Sequence, residues 1–569
     1  MNKNPKVVAF HRSAEYMHHR AMMNRRENRI LDALELMRSA VEASPENSEY
    51  RLDLAELYCE IGCHGQSTRL LLDMLSEEGA PSECYYGLAL NQMGMSDISG
   101  ARQTLDIYRK RAPRGSFTQD AGMLFRELDD YFDAGRLASR RLSRAMRVAN
   151  NGCEAMKAGL PEKACRLFGE SLQMASEQYE MRALYAMALI MAGDEAQARV
   201  QADRASEGYP PSVRALCVCA QVYYRLGMHE RAMRLMDAAE REKPMGQELR
   251  LMLLSAGEMD MYARAAEYAR LALQEAPYDR ELLHIRAVAL KKGGAPDDEA
   301  GKCWKRILRL DPEDTVAQYY ADAADRHALD VEELDFNYQV TGEEYVRRVN
   351  WIKEVMAGEL ERAHAPGALS PEFLMMLRWA SLTDDLRVSE AAVAMLAVME
   401  NPEARSVLRE LMLQPGVSRE AKLHAALLTQ MQGKSLTELL PAELAGTGGG
   451  MVDIDALVSE LPVGERQLVR FASEVLDELY DISALPALAM LWTTYRLNRG
   501  TRCDPLIRME SSAAALACNY LRSVDIAPDY GKLAAAFGCD ERQLKFCARR
   551  MARCLIRRKR RESLEAVRF

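Results

Sequence analysis

The side chains best suited to chemistry are thinly spread along this chain. Cys59, Cys63 and His64 place two thiols and an imidazole within six residues around a helix end, a spacing found at metal sites. Structural zinc takes four ligands, usually from two such pairs, and no second CxxC follows at a matching interval. The three are therefore expected to be small core and turn residues. Cys217 and Cys219 lie two apart, which on a helix sends side chains to different faces, so a redox pair is not expected. The nine histidines are scattered, four of them within the first 64 residues as His11, His18, His19 and His64. GxGxxG, P-loop, HExxH and GxSxG elements are all missing. Carboxylates abound, but the sequence singles out no pair. No catalytic constellation, cofactor or metal is expected, and the chain is read as a non-enzyme.

Charge is unevenly placed. The net charge is −9, yet residues 1–26 hold six basic residues against one acid, and residues 541–562 hold ten against two. An acidic body with basic ends suggests that the ends meet something anionic or fold back on the body. With 48% hydrophobic and 28% charged residues, the chain has ample apolar surface for a packed core. Aromatics are only 7%, and alternating strand patterns rich in Val, Ile and Thr are scarce, so helices are expected throughout. Thirteen cysteines in 569 residues do not make a disulfide framework, which belongs to short secreted domains. The opening MNKNPKVVAFHRSAEY contains no secretory apolar run, and no stretch approaches eighteen apolar residues. No membrane contact is expected, and residence in the cytoplasm with reduced thiols is.

Those charges must be positioned by a repeat. Pro210, Pro244, Pro277 and Pro312 are spaced 34, 33 and 35 apart, and Pro45, Pro81 and Pro113 are spaced 36 and 32 apart. Each follows an amphipathic run such as GKCWKRILRLDP, where a proline ends a helix without breaking one. Within residues 213–246, Ala220, Tyr223, Gly227 and Ala232, followed by Pro244, occupy offsets of which the first four are met again as Ala55, Tyr58, Gly62 and Ser67. Ala21, Ala33 and Pro45 mark an earlier unit, and Ala89, Ala101 and Pro113 a third. Ala186, Ala198 and Pro210 mark a later one, followed by Ala287, Ala300 and Pro312. This pattern resembles the tetratricopeptide repeat. The resemblance implies an all-α solenoid of antiparallel helix pairs, because only small residues let the two helices of a hairpin approach closely. About eight repeats fit residues 14–330 behind a basic arm at 1–13. The register blurs between Pro113 and Ala164, where Gly152 and Ala164 still sit twelve apart.

The resemblance also implies a groove, lined at positions 5, 9 and 12 of each first helix. Here these are His18, Met22 and Arg25, then Leu52, Glu56 and Cys59, then Tyr86, Leu90 and Met93. Later units supply Ala183, Met187 and Ile190, then Cys217, Gln221 and Tyr224, then His284, Val288 and Lys291. The Asn and Lys residues by which some family members clamp a peptide carboxylate are missing. The apolar, Met-bearing lining suits an amphipathic helix or hydrophobic peptide from a protein partner. A protein-interaction scaffold or adaptor is thus the expected function.

Beyond the repeats, residues 331–445 carry paired helices broken by Asn-Pro and Gln-Pro-Gly, similar to HEAT-type repeats. A glycine-rich linker opens the stretch 446–500, which ends in amphipathic helices near 464–480 and 484–497. In residues 501–569, Leu533, Ala534, Gly538, Cys539, Asp540 and Leu544 resemble the helix-turn-helix half of cyclin-like domains in general transcription factors. That resemblance implies a small tri-helical unit whose recognition helix would expose Arg542, Gln543, Lys545, Arg549, Arg550 and Arg553. The alternative function is accordingly a repeat-coupled regulator whose C-terminal unit binds DNA or RNA.

Overall fold

A computed structural model describes residues 13–552 apart from 142–143, 175–177, 209–211, 363–369, 400, 419–420, 423–424, 427, 430–438, 442–443, 445–460, 481–484, 486–487, 490, 493–494, 496–507 and 524–525. Pro210, the 445–450 linker, most of 484–497, Arg553 and the basic tail lie outside the described residues. Helix makes up 78% of the described residues, and no strand occurs among them. The chain divides into two compact units, 1–383 and 384–569.

The first unit begins with three antiparallel hairpins: α1 (Ala14–Arg26) with α2 (Ile30–Ala43), α3 (Ser48–Glu60) with α4 (His64–Leu75), and α5 (Glu83–Gly94) with α6 (Ile98–Arg111). A single long helix, α7 (Thr118–Arg141), interrupts the series. Five hairpins follow: α8 (Arg144–Lys157) with α9 (Pro161–Met174), α10 (Tyr179–Met191) with α11 (Glu195–Ser206), and α12 (Val213–Arg225) with α13 (His229–Arg241). The last two are α14 (Gln247–Glu258) with α15 (Tyr262–Glu275), and α16 (Arg280–Lys292) with α17 (Asp297–Leu310). Then come α18 (Thr315–Asp325), α19 (Gly342–Arg362) and α20 (Pro371–Ser381).

A backbone signature marks the register more sharply than the prolines. Each first helix ends in a residue of positive φ: Asn28, Gly62 and Ser96, then Gly159, Gly193, Gly227, Asp260, Gly294 and His327. Within each run these recur every 33 or 34 residues, and the one longer interval, from Ser96 to Gly159, is where α7 is inserted. The left-handed residue turns the chain back at the hairpin tip. Glycine adopts it without strain, while Asn28 and Asp260 are among the residues that tolerate it best. His327 falls on the same beat, so α18 is the first helix of a ninth unit that has no second helix.

The expected tight crossings are present. Ala21, Ala33, Ala89, Ala101, Ala186, Ala198, Ala220, Ala232, Ala287 and Ala300 have no exposed surface. Where Ser67 replaces alanine, its hydroxyl donates across the hairpin to the Ala55 carbonyl at 2.7 Å.

The array also meets itself. Arg38 of α2 donates to the Arg309 carbonyl at 2.9 Å and to that of Leu310, satisfying acceptors left open at the C-terminus of α17. In return Arg309 donates to Asp32 and Glu35 of α2, both at 2.7 Å, and Arg69 of α4 donates to Glu313 at 2.6 Å. One hydrophobic core joins Ile30, Leu57 and Cys63 of the first two hairpins to Leu310 of the last and Tyr320 of α18. The first unit is therefore closed by a seam between its two ends.

In the second unit, α21 (Leu386–Val398) pairs with α22 (Pro402–Leu413). Farther on, α23 (Val463–Tyr480) and α24 (Met509–Ser523) precede α25 (Tyr530–Phe537) and a last helix, α26, over 541–552. Residues 511–521 of α24 are buried without interruption, which makes it the central helix of this unit. Gly538 is left-handed at φ 63°, and the Cys539 N–H donates to the Ala534 carbonyl at 2.9 Å, closing α25. The Asp540 carboxylate caps the next helix through the N–H groups of Arg542 and Gln543, at 2.9 and 3.0 Å. Leu544 is fully buried. Two helices joined by a left-handed glycine turn thus occupy residues 530–552.

Candidate functional site

The first helices place their groove positions in two chemically different sets. The polar ones reach one repeat forward to the next first helix. His18 Nε2 lies 2.6 Å from Asp53 Oδ2, with its ring stacked on Tyr50. Arg25 donates to Glu56 at 2.7 Å and to Glu60 at 2.9 Å. Gln221 donates to Ser255 at 3.1 Å, and the Tyr224 hydroxyl to Asp260 at 2.6 Å. Hydrogen bonds from Tyr224 and Tyr262 hold the Asp260 carboxyl below its ordinary range. These ladders tie neighbouring repeats together and fix the curvature of the face they line.

The apolar positions divide again. Met187, Cys217 and Val288 are buried. Met22, Leu90 and Met93 are half-buried, and Tyr86 stacks at 4.6 Å on Phe117, itself 38% exposed. His284 is fully buried, for a reason the repeat pattern does not contain. Residues 334–340, between α18 and α19, form a bent strap over the first helices α14, α16 and α18, with the Gln339 N–H donating to the Asn337 carbonyl at 2.8 Å. His284 Nδ1 accepts from Trp304 Nε1 at 3.1 Å, so its Nε2–H is left to donate to the Asp335 carbonyl at 2.9 Å. Burial pushes His284 down to about 4, keeping the ring neutral.

Cys59, Cys63 and His64 do not converge on a ligand. Burial pushes the Cys59 thiol up to about 11 and that of Cys63 up to about 12, far from the thiolate that metals require. The His64 ring packs against Gly94, where there is no room for a Cβ. Among the described residues no group of three or more His, Cys, Asp and Glu is close enough to hold a metal ion, and no helix is long and apolar enough to cross a membrane.

On α26, Arg542, Arg549 and Arg550 are exposed, while Gln543 and Lys545 are half-buried. Lys545 pairs with Glu541 at 2.5 Å and lies 5.1 Å over the Tyr530 ring. Phe546 is 59% exposed and shares a face with Arg542 and Arg549. The sequence reading passed over both Phe546 and the strap. The signal for the strap was the strict alternation of Leu334, Phe336, Tyr338 and Val340 with polar residues.

Hairpins of constant length, alanine crossings and a turn residue every 33 or 34 positions define an α-solenoid of the tetratricopeptide type. No family model matches the chain. A tetratricopeptide repeat-containing protein of Bacillus subtilis, YvcD, is 24% identical over 249 residues, which cover 43% of this chain and 51% of that relative. The chain thus spans about half the length of the curated relative that it matches. Among solved structures, the TPR2AB domain of yeast Sti1 in its pHSP90 complex is 16% identical, with a TM-score of 0.21, over 46% of this chain and 96% of that one. A tetratricopeptide repeat protein from Parabacteroides merdae is also 16% identical, with a TM-score of 0.20, over 43% and 86%.

Proposed function

We propose that this protein is an interaction scaffold whose repeat array holds a peptide or helix from another protein. The observation that carries this reading is the half-buried surface of Tyr86, Leu90 and Met93 beside Phe117. Polar groove residues such as Arg25 and Gln221 find partners one repeat on, whereas these apolar side chains keep surface in water. Covering such surface contributes about 25 cal/mol per Å², and aromatic and Met side chains adapt well to an amphipathic helix. The test is selection of amphipathic peptides on the full chain, followed by binding to Leu90→Glu. That variant should lose the selected peptides while its circular dichroism stays unchanged. Undiminished binding by the folded variant would move the site elsewhere.

A second reading, nucleic-acid contact through the C-terminal unit, is favoured by the exposed Arg542 and Arg549 flanking Phe546 on the second helix of the helix-turn-helix. Phosphate neutralisation releases counterions, so binding should fall by about 0.9 log units per tenfold rise in salt for each phosphate met. Joint replacement of Arg549 and Arg550 by Ala should flatten that slope. A chain that shifts no duplex at low salt would end this reading.

A further inference from the structure

The ninth unit does not finish as its predecessors do. After His327, on the beat where every earlier unit starts its second helix, the chain leaves α18 and returns across the first helices as a bent strap. Its side chains alternate without exception. Leu334, Phe336, Tyr338 and Val340 are buried or half-buried, while Asp335, Asn337 and Gln339 are exposed. Every second side chain thus faces the array, while the backbone between them bends, the Gln339 N–H donating to the Asn337 carbonyl at 2.8 Å.

What holds the strap is what holds a foreign peptide. Two side chains of the array hydrogen-bond to its main chain: His284 donates to the Asp335 carbonyl at 2.9 Å, and the Tyr320 hydroxyl to that of Gln339 at 2.8 Å. Trp304 fixes the orientation of His284 from behind, so the donor is in place before anything arrives. Specificity comes from two apolar seats. Phe336 lies against Gly257 of α14, where an added Cβ would stand 2.7 Å from the ring. Tyr338 meets the His284 ring edge-on at 5.2 Å, and Arg280 lies 6.0 Å over its face.

We propose that residues 334–340 are a ligand bound in cis. The site beneath them, on α14, α16 and α18, accepts in trans a segment of a partner protein with apolar side chains at alternate positions, aromatic at the two central ones. This rests on the reading that the face lined by the first helices binds peptides, and it says what one half of that face takes and what keeps it closed. A tethered segment acts at an effective concentration of order millimolar, so a partner gains the site only by matching the strap's pattern or by drawing the strap away.

The experiment uses the full chain and a fluorescent peptide with the sequence of residues 331–341. Phe336→Ser with Tyr338→Ser should weaken the cis contact and tighten peptide binding at least about tenfold over the parent, read as fluorescence anisotropy. Adding Gly257→Val to that background should remove the gain, because the Phe336 seat is then filled. A peptide with both aromatics changed to Ser should not bind. If the folded double variant binds no peptide, or binds the Ser-substituted one equally well, the strap is a fixed cap and the proposal is overturned. Should the double variant fail to fold, Phe336→Leu keeps an apolar side chain in the seat, and some tightening is still required of it. Leu90→Glu in parallel separates the two readings. Loss of selected peptides there, with no gain here, overturns only the cis-ligand proposal.

Discussion

The first helices follow one repeat, yet two stretches of the face they line are finished differently. Around α5, Tyr86, Leu90 and Met93 keep part of their surface in water. Around α16, His284 is sealed among Trp304, Tyr320 and Tyr338. Both stretches use groove positions of the same register, and their alanine crossings are equally tight. The difference lies in what comes next along the chain: the single helix α7 in one case, a returning strap in the other. A repeat array therefore specifies where a groove runs, and the segments outside the repeat specify whether it is open.

The largest expected contrast is in stability. Trp304→Ala removes a fully buried indole stacked at 5.0 Å on Tyr320 and leaves His284 Nδ1 without its donor. A loss of about 3–5 kcal/mol in denaturant unfolding is expected, and an unchanged midpoint would break the distinction between the two stretches. Acid should separate them next. His284 stays neutral in the folded chain down to about 4, through burial that the Asp335 carbonyl only partly offsets, against about 6.5 when unfolded. Between those values only the unfolded state takes the proton. Stability should therefore fall by about 1.4 kcal/mol per pH unit on the way from 6.5 to 4, and be untouched by this group above 6.5. Parent minus His284→Gln isolates that limb, and parallel curves for the two would contradict the sealed histidine.

Ala89→Leu and Ala287→Leu probe the same crossing in the open and the covered stretch. Each should cost about 1–3 kcal/mol through overpacking, measured as a melting shift. Unequal costs would mean that the hairpins themselves differ, and not only what covers them. Smallest of all, Leu90→Glu should change stability by no more than about 0.5 kcal/mol, since its side chain already meets water. A large loss there would show the open surface to be core.

Much of this was legible from residue types. Alanines twelve apart and prolines near every thirty-fourth residue locate the hairpins, because helix crossings and helix ends constrain composition locally. The Gly538 and Asp540 spacing located one helix end and the next helix start for the same reason. His284 was legible as a groove position but not as a sealed one, since its cover lies 51 residues downstream. The strap's alternation stood in plain sight, but a single run of seven residues between helices gives no sheet to join and so carried no assignment. The meeting of Arg38 with Arg309, 271 residues apart, leaves no local pattern at all.

That last contact changes how the array should come apart. Stacked repeats ordinarily fray from their ends, each unit answering only to its neighbours, and they melt in stages. Here the first and eighth hairpins are neighbours as well, so neither is an end. Releasing one breaks the Asp32 and Glu35 contacts of Arg309 and opens the apolar core beneath them. The array is expected to unfold in one cooperative step, and to fold slowly, because its closing contact spans most of the unit. The Arg309 pairs are half-exposed, so high salt screens them and should restore the staged melting of an open array.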